Sequence, residues 1–302
     1  MGCSNGRTKE KEKKLKTKFS FPQCINSFLS NPPVQCMIPV DSLRVLLGIQ
    51  NQIKLLDISS IAPTSLFEEH KENINCLLSI HHNIFASASE DKTIKIWDMN
   101  IPQSKCTLIG HTSSITTMTK INNETIASGG NDNKIIIWDI NLKKVDNILY
   151  EGKFPIIALL HLKDERIVSS SQDRVIRIFS LKDNNIEIEI SVNSNIRSIA
   201  EMPDGKMIAG MDNGDLIIWD MNENNKINTI HAHNKYITQL LVLNNEKFMS
   251  GSKDSTMIVW NINDIAGKVV LKEHKNGITG LVKIGDKRFV SSAMDGRIKL
   301  WE

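Results

Sequence analysis

Short apolar runs of about five to seven residues recur along this chain of 302 residues, and polar turns separate them. Ile-Asn-Cys-Leu-Leu-Ser-Ile at 74–80, Ile-Thr-Gln-Leu-Leu-Val-Leu at 237–243, Lys-Phe-Met-Ser-Gly-Ser at 247–252 and Thr-Met-Ile-Val-Trp at 256–260 illustrate the pattern. Asn244-Asn245 and Asp204-Gly205 are among the turns between them. Such β-rich runs, punctuated in this way, predict short antiparallel strands.

The runs repeat with a fixed period. Trp97 and Trp138 are 41 residues apart, as are Trp219, Trp260 and Trp301 in succession. Phe179 divides the gap between Trp138 and Trp219, and Leu56 falls 41 residues before Trp97, so the markers count seven units. Other positions keep the register. His70, His111, His233 and His274 lie 27 residues before their markers; Ser87, Ser128, Ser169, Ser250 and Ser291 lie 10 before; Asp91, Asp132, Asp173, Asp254 and Asp295 lie 6 before. A period near 41 with Gly110-His111 and the Trp-Asp pairs at 97–98, 138–139 and 219–220 resembles the WD-repeat family of β-propellers over roughly residues 22–302.

The resemblance implies an all-β, seven-bladed propeller in which His, Ser, Asp and Trp of one blade form a buried hydrogen-bonded chain. Four units carry the whole set: His70/Ser87/Asp91/Trp97, His111/Ser128/Asp132/Trp138, His233/Ser250/Asp254/Trp260 and His274/Ser291/Asp295/Trp301. Trp donates, Asp accepts, and Ser and His do both, so the four can satisfy one another without water. The fourth unit has Gly152 for His and Phe179 for Trp; the fifth has Val192, Ala209 and Asn213; the first has Leu29, Leu46, Gln50 and Leu56. These three are expected to rely on apolar packing alone. Cys24 lies two periods before Cys106, so the segment at about 22–28 is expected to supply the outer strand of the last blade and close the ring, removing exposed edges.

The net charge of +3 is unevenly placed. Residues 1–18 hold seven basic side chains against Glu10 and Glu12, so the rest of the chain is slightly acidic. The chain therefore divides into a disordered basic tail, 1–20, and the propeller, 21–302. The tail opens Met-Gly-Cys, which makes Gly2 a myristoylation acceptor and Cys3 a palmitoylation partner, although Gly6 stands where that pattern prefers Ser or Thr. A single myristoyl chain binds membranes only marginally; Cys3 and the basic run are the second signals. The tail also reads as a nuclear-targeting or nucleic-acid-brushing arm, or as a solvated segment with no role.

Five scattered cysteines without a Cys-x-x-Cys pair exclude a disulfide framework and argue against zinc. No apolar stretch is long enough to span a membrane as a helix, and the first residues are basic and lack the apolar region expected of a secretory signal. Ser, His and Asp recur four times in register with Trp, whereas a catalytic triad occurs once, so no enzyme, cofactor or small-molecule substrate is expected. Partners are expected on the face bearing the outer-to-inner-strand loops and the Asp turns, with Phe154, Arg174, Lys235, Tyr236, Lys253, Met294 and Arg297 as candidate contacts. Mixed charge there disfavours nucleic acid. The expected function is a non-catalytic protein-interaction scaffold, held by its acylated tail at the cytoplasmic face of a membrane. A soluble or nuclear adaptor or substrate receptor, or a propeller that regulates a kinase or other enzyme, remains open.

Overall fold

The computed structural model describes residues 22–59, 63–223 and 225–302. Among them the strands form seven antiparallel sheets of four strands each. Six sheets take their strands in chain order from inside to outside, their inner strands beginning at Cys36, Ile74, Ile115, Ile156, Ile196 and Ile237. In the seventh, Ile278–Ile284, Arg288–Ala293 and Arg297–Trp301 are completed by Cys24–Leu29. The closing strand pairs Cys24 with Trp301 and Leu29 with Arg297, so it runs one residue beyond the expected segment and starts two later. Inner strands of successive sheets lie side by side, and the seventh returns to the first, which makes a closed seven-bladed propeller.

The alternation within each strand explains the stacking of blades. The second and third strands are buried almost throughout, because neighbouring blades cover both their faces: Arg44–Ile49, Ile84–Ser89 and Thr125–Gly130 each leave only their first residue partly accessible. Outer strands such as Asn225–His231 are mostly exposed. Phe85, Phe248 and Phe289 stack on the cross-strand Trp97, Trp260 and Trp301 at centroid distances of 6.1, 6.1 and 5.5 Å.

One irregularity recurs. In blades 2 to 7 the pairing of inner and second strands slips by one residue just after the first isoleucine, which leaves Asn75, Thr116, Ile157, Arg197, Thr238 and Thr279 as the extra residues. A β-bulge bends its strand and re-aims the unpaired residue. Three of these residues tie the ring or their own blade together: Asn75 Nδ2 donates to the Ile115 carbonyl at 2.9 Å, Thr116 Oγ1 to that of Ile156 at 2.6 Å, and Thr238 Oγ1 to that of Gly251 at 3.0 Å.

Candidate protein-interaction face

Each complete set is brought together in its blade by the second and third strands, which carry Ser and Trp, the turn between them, which carries Asp, and the loop entering the inner strand, which carries His. The Trp Nε1 proton points at the serine Oγ, which lies diagonally across on the adjacent second strand, two residues beyond the Trp's direct partner: 2.8 Å for Trp97–Ser87, 2.7 Å for Trp138–Ser128, 2.9 Å for Trp260–Ser250 and 2.9 Å for Trp301–Ser291. Serine Oγ meets histidine Nε2 at 2.7 Å in all four. Histidine Nδ1 reaches the aspartate at 2.7, 2.8, 3.1 and 3.3 Å in blades 2, 3, 6 and 7. The aspartates also accept the backbone N–H of the residue after each histidine, which pins the loop entering the blade to the turn inside it.

Burial acts on the charge state of three of these histidines. It pushes the pKa of His70, His233 and His274 below 6.5, and the aspartate beside each ring offsets that only in part. Burial raises the carboxyls of Asp91, Asp132, Asp254 and Asp295, but hydrogen bonds from neighbouring hydroxyl, imidazole and backbone groups outweigh it and hold them below 3.8. A neutral ring that donates from Nδ1 and accepts at Nε2 satisfies every member.

The incomplete blades differ from the expectation of apolar packing alone. In blade 1, Leu46 and Leu56 are buried as expected, but Leu29 and Gln50 are exposed, Leu29 because it ends the closing strand at the outer edge of the last blade. In blade 4 the expectation fails: Tyr150 packs edge-on to Phe179 at 5.6 Å and occupies the space beside Gly152, where an added Cβ would meet its ring at 2.5 Å. Arg177, itself buried, then spans Asp173 at 2.7 Å and Glu189 at 2.8 Å, with its guanidinium 5.2 Å from the Tyr150 ring. Asp173, which has no imidazole partner in this blade, is met instead by the Arg177 guanidinium. Blade 5 keeps Trp219, but Ala209 stands where serine accepts in the complete blades, and Trp219 Nε1 is buried without a partner.

The geometry separates the two faces of the ring. In an antiparallel blade the loops entering the inner strand and the turns between second and third strands share one end, and the remaining hairpins share the other. The first end carries the aspartate turns and the mouth of the central channel. A cavity of about 480 Å³ opens there, lined by the bulge residues Asn75, Thr116, Ile157, Arg197 and Thr238 together with Glu90, Asn131, Gln172, Asn195 and Tyr236. Arg197 is ion-paired with Asp212, its guanidinium carbon sits 4.6 Å from the centre of the Tyr236 ring, and Asn195 Nδ2 donates to Asp212 at 3.1 Å. Asn195 Oδ1 is buried without a partner.

Of the contacts nominated from sequence, Tyr236 lines this cavity. Phe154 and Met294 are 46% and 44% exposed, and the Lys253 ammonium touches Met294 Sδ. Arg174 and Lys235 are exposed in the loops of the same face, and Arg297 is exposed at the start of the strand that leaves it. Arg197 was missed. Its signal was present in the register, as the residue after the isoleucine that opens six of the inner strands, where Arg197 is the one charged side chain beside Asn75, Thr116, Ile157, Thr238 and Thr279. Gly2 and Cys3 lie outside the described residues. No group of three or more His, Cys, Asp or Glu is placed to hold a metal ion among the described residues.

The WD domain, G-beta repeat model matches residues 62–98, 102–139, 224–261 and 268–302. The chain is a seven-bladed β-propeller built on WD40 repeats. The four matched segments are those that contain the complete His-Ser-Asp-Trp sets, and the substituted positions of the other three units fall outside them. This WD40 propeller therefore keeps the strand register in all seven blades, but the polar chain in only four. No curated protein matches the chain.

Proposed function

We propose that this WD40 propeller is a protein-interaction scaffold tethered to an anionic membrane surface through acylation of its N-terminal tail, with the channel mouth as its partner site. The observation that carries the reading is the relation between tail and ring. Gly2, Cys3 and the basic run precede the closing strand, and that strand enters at the end of the ring opposite the channel mouth. The entry is fixed by two backbone bonds, from Gln23 N to the Glu302 carbonyl at 2.9 Å and from Glu302 N to the Gln23 carbonyl at 3.1 Å. A tether joined at that end need not cover the aspartate-turn face, which is left to bind partners. The polar lining of the mouth, rich in carboxamides and hydroxyls that both donate and accept, suits the main chain of a protein segment.

A C-terminal fluorescent fusion tests the tether, because it leaves the N-terminus free. The wild type should outline membranes, and Gly2→Ala or Cys3→Ser should shift it to a diffuse signal. Identical diffuse distributions for all three would remove the membrane from the reading and leave a soluble scaffold.

A further inference from the structure

The end of the ring where the tail joins carries a second cavity, of about 490 Å³, between blades 6 and 7. Pro22, the first described residue, forms part of its wall. Four cations line it, Lys247, Lys283, Lys287 and Arg288, against two carboxylates, Asp286 and Glu302. We propose that this cavity binds the phosphate of an anionic lipid headgroup, so that the body of the propeller, and not only its tail, reads the membrane surface.

The cations differ in how firmly they are held, and the differences suit such a ligand. Lys283 is fixed across the blade boundary, its ammonium donating to the Leu243 carbonyl at 2.7 Å, so one positive charge is preset in the wall. Arg288 meets Glu302 at 3.4 Å, a long contact between side chains that are both more than 40% exposed, so its guanidinium can turn toward a stronger anion. A guanidinium presents a planar fork of donors that matches phosphate oxygens. Lys287 is exposed at the tip of the hairpin. Lys287 and Arg288 also line an adjoining cavity of about 390 Å³ between blades 7 and 1, so both are reached from two sides. Beneath the charges, the buried Phe289 and Val259 give the cavity an apolar floor that suits the glycerol and upper acyl region rather than a hydrated ion.

Position selects a lipid over a free anion. The basic tail leaves the ring at the wall of this cavity, so any anionic surface that attracts the tail is brought to its mouth. This step rests on the tethered reading for the source of the phosphate, while the pocket's chemistry stands on its own residues.

The test uses the full-length Gly2→Ala chain produced without acylation, so that tail charge is kept and lipid anchoring is absent. Binding to phosphatidylcholine vesicles doped with phosphatidic acid is measured by co-sedimentation. Near an anionic surface each basic residue contributes enough that replacing both Lys287 and Arg288 with Gln should weaken binding by roughly thirtyfold. The matched pair Lys71→Gln and Lys92→Gln, on the opposite face, removes equal charge and should leave binding within about twofold. Equal losses from both pairs, or no loss from the first, would overturn the site, as would a first pair that no longer shows the wild-type melting curve. Excess inorganic phosphate should leave vesicle binding largely intact; displacement at concentrations matching the headgroup would overturn the lipid as source. Failure of the tether appears separately, as identical images of wild type and Gly2→Ala in cells.

Discussion

Ser250 is the most informative single atom to remove. Its Oγ is fully buried and joins Trp260 Nε1 at 2.9 Å to His233 Nε2 at 2.7 Å. Ser250→Ala deletes one acceptor and one donor and leaves two buried polar atoms without the partner they share. At about 1–3 kcal/mol for each buried group left unsatisfied, the expected loss is roughly 3 kcal/mol. For a ring of ~280 residues the unfolding entropy is about 0.6 kcal/mol per degree, so the melting midpoint should fall by roughly 5 °C. Urea unfolding followed by tryptophan fluorescence and circular dichroism measures the free energy directly. A cycle with Trp260→Phe isolates the bond: the phenylalanine change should cost about 1 kcal/mol less in the Ser250→Ala background than in the wild type. Blade 5 supplies the reverse experiment. Ala209→Ser offers Trp219 Nε1 the acceptor it lacks and should stabilise by up to about 1 kcal/mol, limited because the new hydroxyl proton faces Val192 where a histidine accepts in the complete blades. A loss below about 0.5 kcal/mol for Ser250→Ala, or strict additivity in the cycle, would refute the account of the tetrads as hydrogen-bonded units.

Acid should weaken the ring in two stages. His70, His233 and His274 have folded pKa values below 6.5, so the unfolded chain takes up protons first; their stabilisation is complete above about pH 6.5 and declines below it, with a limiting slope of about 1.4 kcal/mol per pH unit for each ring. The four depressed aspartates extend the loss below about pH 4, and a melting midpoint unchanged between pH 7 and 5 would contradict this. Deleting residues 1–28 removes most of the closing strand and exposes the edge of Arg297–Trp301, so size-exclusion chromatography should show aggregates or oligomers, whereas deletion of 1–18 should elute and melt as the wild type. Arg197→Ala combined with Tyr236→Ala removes the stacked pair from the channel mouth; affinity purification should lose partners at least tenfold while the melting midpoint moves by only a few degrees, and unchanged partner recovery would move the interaction site elsewhere.

How much of this was legible beforehand depends on the distance over which each feature is decided. The spacing of Trp, Asp, Ser and His within one period determined the number of blades, the register of their strands and the four complete sets, because each set is assembled by two adjacent strands and their connecting turns. The closing strand was legible too, from Cys24 standing two periods before Cys106, though not its limits, which depend on where the ladder to Arg297–Trp301 begins. Gly2 and Cys3 are readings of sequence alone.

The tertiary structure decided what happens where the pattern breaks and what the bulges aim at. Nothing in the string shows that Tyr150 fills the space beside Gly152, or that Arg177 takes over the aspartate of blade 4; both follow from side chains meeting across strands. Ala209 opposite Trp219 could be read from spacing, but only burial turns the mismatch into an unpaired proton. Arg197 and Tyr236 are 39 residues apart on different blades, and they meet because a bulge re-aims one side chain across the channel mouth. A repeat specifies its own blade through local spacing; the contacts between blades exist only once neighbouring blades have packed against one another.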